Sequence, residues 1–232
     1  MKIESIRTTI LRAEFDQPFG WSQFWTKTRS TTLVQIRTDD GLEGLGECFG
    51  PPESAKAIID GLYEPHLVGR DPMDTEVIWT DLYQLLRQHG QKGLSVQALS
   101  GVDIALWDLK GKALGLPVHK LMGGAYRSEV TAYATGMYFT EGPGVAERLA
   151  DEAGRYVDAS FGYVKMKVGM GVQADTENVR AVRERIGPDI GLMADANYGY
   201  NVNDALRLGR ELERQELLWF EEPVPPEDLD GY

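Results

Sequence analysis

At 232 residues the chain has room for one large domain or two smaller ones, and its 42% hydrophobic and 26% charged residues are ordinary for a globular protein. A net charge of -12 argues against the basic face that nucleic-acid binding needs, the lone Cys48 excludes an internal disulfide, and no apolar run approaches a membrane span. The three histidines show no metal-ligand spacing, and Met1-Lys2-Ile3-Glu4 has no signal-peptide character, so a cytoplasmic enzyme with no membrane or nucleic-acid partner is expected.

Residues 1–48 read as an antiparallel meander. Ile3, Ile6, Thr8, Ile10 and Arg12 form the first β-rich run, and residues 31–37 the second. Asp39-Asp40-Gly41 is a hairpin turn, because Asp-Gly tolerates positive φ, and residues 42–48 return as a strand punctuated by glycine. Between the first two runs, residues 16–30 read as an irregular loop holding Phe19, Trp21, Phe24 and Trp25. Helical spacing follows over 54–67, 74–88 and 95–113. The last of these carries the stripe Val96, Leu99, Val102, Ala105, Leu106 and Leu109 and stops near Gly115 and Pro117. A meander followed by helices predicts an α+β domain over residues 1–126.

From residue 127 onward the rhythm becomes strand, helix, strand, helix. Strands are expected over 130–135, 163–168, 191–195 and 217–221, with helices over 145–157, 175–186 and 202–212. The fold class is thus α/β: an α+β domain at 1–126, then the first half of a (β/α)8 barrel at 127–232. Half a barrel has two open edges of unpaired backbone, so the chain is expected either to continue or to be a fragment.

Three short segments carry the chemistry. Lys165-Met166-Lys167, Asp195-Ala196-Asn197 and Glu221-Glu222-Pro223 each close an apolar run, at steps of one βα unit. Lys165 and Lys167 are two apart on a strand and share a face. Two ammonium groups close together, with a metal nearby, lower each other's pKa. Taken alone, Lys-x-Lys is most often a solvated strand end, and Asp beside Asn and Gly is often only a turn former. In register on successive strands they read differently. Asp195 and Glu221 offer oxygen ligands suited to a hard cation such as Mg²⁺, beside a lysine able to act as a base.

Two long patterns carry a resemblance. One is Ala98-x-Ser100-Gly101-Val102-Asp103-x-Ala105-Leu106-x-Asp108-Leu109-x-Gly111-Lys112, followed by Pro117-Val118 and Leu121-Met122-Gly123. The other runs from Leu192 through Asp195-x-Asn197 and Leu212 to Phe220-Glu221-Glu222-Pro223. Together they resemble the mandelate racemase/muconate lactonizing enzyme family of the enolase superfamily, and the segments Val164-Lys165-Met166-Lys167-Val168-Gly169 and Trp219-Phe220-Glu221-Glu222-Pro223-Val224 are most similar to its acid-sugar members. An eight-stranded barrel makes the chain roughly the first 60% of a family member.

The resemblance implies Asp195 and Glu221 as the first two Mg²⁺ ligands and Lys167 as general base. Lys165 would depress the pKa of Lys167 and reach the substrate carboxylate, with Asn197 near metal or substrate and Trp21 on a specificity loop. It also implies a capping domain whose loops, 18–28 and 49–53, close over the site, and a homo-oligomer at full length. The family's third carboxylate ligand and opposite-face acid or base would fall beyond Tyr232. The implied reaction abstracts the α-proton of a small carboxylate substrate, an acid sugar or lactone, through a metal-stabilised enolate. Dehydration or lactone cycloisomerisation would follow. The alternatives are a racemase or epimerase of a 2-hydroxy or amino acid derivative, and an inactive fragment or interaction module.

Overall fold

The computed structural model describes residues 1–232, which divide into two compact units. The first comprises Met1–Glu14 and Thr28–Ser128, the second Phe15–Lys27 and Glu129–Tyr232.

In the first unit, strands β1 (Ile3–Trp21), β2 (Phe24–Thr38) and β3 (Glu43–Cys48) lie side by side in the order β3-β2-β1. Helices α1 (Pro52–Ile58) and α2 (Glu64–Leu67) are joined by a π-helical turn at Ile59–Tyr63. Then come α3 (Thr75–Leu86), α4 (Leu94–Leu114) and the short α5 (Val118–Leu121). Strand β3 packs on α4 with almost no side chain between them. A Cβ on Gly44 would strike the carbonyl of Ala105, one on Gly46 the carbonyl of Gly101, and one on Gly101 the sulfur of Cys48. The glycines of the 42–48 run and the small residues of α4 are thus one packing feature. Asp108 locks it by accepting from the Leu45 amide (2.8 Å) and from Lys112 (2.7 Å).

Cys48 sits at the centre of this contact, 1% exposed, and burial pushes its thiol up to about 11. A folded pKa above the unfolded one means the unfolded chain releases its proton first. Stability is therefore lost as pH rises from about 8.5, the ordinary thiol value, toward the folded value. We expect Cys48→Ala to flatten that alkaline limb of a urea-melt pH series. We also expect Cys48 in the native chain to resist iodoacetamide at pH 8 until urea unfolds it.

The expected loop at 16–30 is instead ordered ribbon. β1 runs on to Trp21 and β2 starts at Phe24, with only Ser22 and Gln23 in the turn. The reading missed it because the run has no alternation of apolar and polar residues: most of 11–17 is exposed. Backbone pairing and contacts at its end hold it instead. Phe19 and Gly20 pair with Thr140 and Phe139 of β5 (Phe139–Thr140).

The second unit is a parallel sheet in the order β4-β6-β7-β8, from β4 (Ala134–Thr135), β6 (Tyr163–Lys167), β7 (Gly191–Asp195) and β8 (Phe220–Glu221). Helices α6 (Val145–Asp158), α7 (Val172–Ile186) and α8 (Val202–Arg214) connect the strands. Val164, Met166, Val168, Leu192 and Ala194 are fully buried, in one core with Ala153, Val182 and Leu208 of the helices. The first and last strands are shorter than the expected 130–135 and 217–221. Val130 is 83% exposed, and Glu216 and Glu222, at positive φ, bracket β8. An apolar run states a wish to be buried; the ladder extends only where a neighbour lies alongside.

Candidate active site

Lys167 is the lateral partner of Asp195 across the ladder, and Asp195 is that of Glu221. One row of the sheet therefore carries an ammonium and two carboxylates at the carboxyl ends of three successive strands. Strand alternation sends Val164, Met166 and Val168 into the core and leaves Lys165 and Lys167 on the other face, each 7% exposed.

The four groups touch. Lys167 donates to Asp195 (2.6 Å), Lys165 donates to Glu221 (2.7 Å), and Lys165 lies 3.5 Å from Asp195. Burial alone disfavours the Lys165 ammonium, but its bond to Glu221 and the charges of Glu221 and Asp195 outweigh that and raise its pKa. Beside these carboxylates, attraction at Lys165 outweighs the expected repulsion within the lysine pair.

Asn197 accepts from Lys167 (2.9 Å) through Oδ1, donates its backbone amide to Asp195 (3.0 Å), and donates Nδ2 to Glu222 (3.0 Å). Glu222 also takes the Tyr198 hydroxyl, so it fixes which end of the Asn197 amide faces the lysine. Asn197, Tyr198 and Glu222 all have positive φ, a costly backbone for non-glycine residues that their side-chain bonds hold in place.

Sequence reasoning missed Glu222 in this role, and it missed the aromatic walls. The Tyr138 ring centroid lies 5.5 Å from the Lys167 ammonium and that of Tyr133 lies 5.7 Å from Lys165. Trp219 donates its indole N–H to Glu221 (3.1 Å). The only sequence signal was position, since Tyr133 lies within the expected first strand of the barrel and Tyr138 just beyond its end. Trp21 packs on Tyr138, with ring centroids 6.2 Å apart, beside Phe19 and Phe24. The hairpin tip therefore reaches the rings next to the lysines.

The tip is seated by glycines. A Cβ on Gly169 would come within 2.8 Å of the Ser22 Cα, and one on Gly199 would overlap the Ser22 hydroxyl, which is buried with no hydrogen-bond partner. Gly199→Ala should unseat the tip and leave the barrel strands folded. Trp21 emission would then shift to the red while far-ultraviolet circular dichroism stays constant. An unchanged spectrum would mean that the tip is held elsewhere.

Residues 5–123 match the mandelate racemase/muconate lactonizing enzyme N-terminal domain, and residues 148–232 match the enolase C-terminal domain-like family. The chain belongs to the mandelate racemase/muconate lactonizing enzyme family. As a family member it has the N-terminal capping domain and the start of the barrel. It is 45% identical to a D-galactarolactone cycloisomerase from Agrobacterium fabrum, over 100% of this chain and 61% of that protein. It is 37% identical to an arabinonate dehydratase from Saccharolobus solfataricus, over 85% of this chain and 53% of that one. Among solved structures, a racemase from Streptomyces coelicolor A3(2) with bound magnesium aligns at a TM-score of 0.89 and 33% identity, over 99% of this chain and 64% of that one. No helix of the chain is long and apolar enough to cross a membrane.

Proposed function

We propose that Lys167 abstracts the α-proton of a small carboxylate substrate, an acid sugar or its lactone, beside a Mg²⁺ site at Asp195 and Glu221. The observation that supports this best is the lateral row Lys167–Asp195–Glu221 with Lys165 on the same face. The residues fit the metal in chemistry. Asp195 and Glu221 are hard oxygen donors on adjacent strands, close enough that the Lys165 ammonium reaches both. A Mg²⁺ ion held by Asp195 and Glu221 would supply positive charge against the substrate carboxylate.

The rest is the work of this chain's residues. Lys167, as the free amine, takes the α-proton, and the electron pair moves into the substrate carboxylate. Asn197 holds Lys167 in line, and Lys165 offsets the charge that develops on the substrate. Tyr138, Tyr133 and Trp219 line the walls. Loss of a β-hydroxyl then gives dehydration, and loss of a β-carboxylate opens a lactone ring. Reprotonation from the opposite face gives racemisation. The 45% identity to a lactone cycloisomerase favours the ring-opening outcome. The acid–base residues are expected to act in the cytoplasm and in a homo-oligomer.

Because the chain spans 61% of the Agrobacterium relative, the assay uses two proteins. One is the 232-residue chain, and the other is that chain joined to the part of the relative outside the match. Each is incubated with galactarolactone, galactarate and arabinonate in D₂O with Mg²⁺, and proton NMR follows the α-proton signals. We expect exchange or turnover in the joined chain. The 232-residue chain, with two carboxylates for an octahedral ion, should bind Mg²⁺ weakly and convert nothing. No exchange by the joined chain on any acid sugar or lactone would sink the proposal.

A further inference from the structure

Asp175, in the first turn of α7, is fully buried. Its Oδ2 accepts from the backbone amides of Gly169 (2.7 Å) and Met170 (2.9 Å) and from the Tyr200 hydroxyl. Its Oδ1 has no partner, and neither does Nδ2 of Asn178 one turn along the helix. Burial pushes the carboxyl above its usual range, and the bonds from Tyr200, Gly169 and Met170 pull it back. Burying a carboxylate with one oxygen unused is expensive, so this one needs a reason. The carboxylate turns back past Gly171, the cap of α7, onto the loop before the helix.

That loop follows Lys167 directly. The chain leaves the lysine through Val168 and then passes Gly169 and Gly171 at φ 125° and 112°. Two glycines of this kind leave the local backbone free to adopt many paths, so the exit from Lys167 is not fixed by its own sequence. Asp175 fixes it from behind. Through Tyr200 it also grips the loop that follows Asp195 and Asn197. The Tyr200 amide in turn donates to the Pro223 carbonyl (3.2 Å), and the Tyr198 amide donates to that of Glu222 (2.8 Å), in the segment following Glu221. One buried carboxylate thus joins the loops that close three successive strands.

We propose that Asp175 is a positioning residue for proton abstraction: through Gly169, Met170 and Tyr200 it sets where Lys167 stands relative to Asn197, Asp195 and Glu221. This rests on the reading of those residues as the active site. Asp175 itself meets no substrate; it acts through the loops.

The test uses the 232-residue chain with three variants. Asp175→Leu removes the acceptor at similar size, Asp175→Asn keeps one acceptor oxygen, and Tyr200→Phe cuts only the link to the second loop. The readouts are hydrogen exchange at the Gly169 and Met170 amides and the ¹H–¹⁵N signal of the Lys167 ammonium. Tm and exchange in α4 serve as controls for general destabilisation. We expect Asp175→Leu to speed exchange at the two amides at least ~10-fold and to shift or erase the Lys167 signal, while α4 stays protected. Asp175→Asn should restore both. Tyr200→Phe should move the Lys167 signal without exposing the two amides, and it decides the question if the Leu variant does not fold. An unmoved Lys167 signal in the folded Leu or Phe variant overturns the inference, as does loss of protection spread evenly over the second unit. Failure of the active-site reading shows separately, in the joined chain, as α-proton exchange that survives loss of Lys167.

Discussion

Lys167→Met should abolish α-proton exchange on one face of the substrate in the joined chain, a loss of about 10³-fold or more, within the range that positioned acid–base groups contribute. Methionine keeps most of the stem and removes only the amine. Asp195 keeps its bond from the Asn197 amide and the nearby Lys165 ammonium, so the fold and the carboxylate pair should persist. Circular dichroism and Tm would verify that. The decisive measurement is deuterium incorporation by NMR, resolved by face. Wild-type incorporation on both faces would remove Lys167 from the base's role and leave the lysine pair as electrostatic support for the substrate carboxylate.

Asp195→Asn should have the second-largest effect, on stability and metal affinity together. Asp195 is 2% exposed and faces both lysines. Removing its charge leaves buried ammonium groups short of a counter-ion, a change that typically costs about 3–5 kcal/mol. Urea unfolding should register that loss, and calorimetry should register weaker Mg²⁺ binding. The double variant Asp195→Asn/Lys167→Met separates the two effects. It should regain much of the stability, because charge and counter-charge leave together, but none of the metal affinity. Equal stability of Asp195→Asn and wild type at pH 7 would show that the ion pair contributes nothing net to folding.

The two patterns legible in the sequence are of different kinds. Asp195 and Glu221 could be placed from βα spacing, because a parallel strand and its helix consume a nearly fixed number of residues. Their lateral pairing follows from that constancy. The Ala98-to-Lys112 pattern was legible as a helix from its apolar stripe, but its glycines only as part of a resemblance. Its physical content, a helix with Gly101 and Ala105 against Gly44 and Gly46, needs two elements brought face to face. The ribbon over 16–30 was misread because its order comes from pairing and from rings at its tip, and neither leaves a periodic signature.

By itself, then, the sequence determined the alternation of elements, the strand ends that carry Lys165, Lys167, Asp195 and Glu221, and the shared face of the two lysines. All of these follow from local periodicity and from the fixed length of a βα unit. Only the tertiary structure decided that carboxylates stand beside Lys165 and raise its pKa, that Tyr138 and Tyr133 sit against the ammoniums, and that Asp175 reaches back under the loop after Lys167. These are contacts between residues up to 56 apart in the chain, as in the bond from Lys165 to Glu221. Their strength depends on distance and on exclusion of water, quantities that exist only once the strands lie side by side.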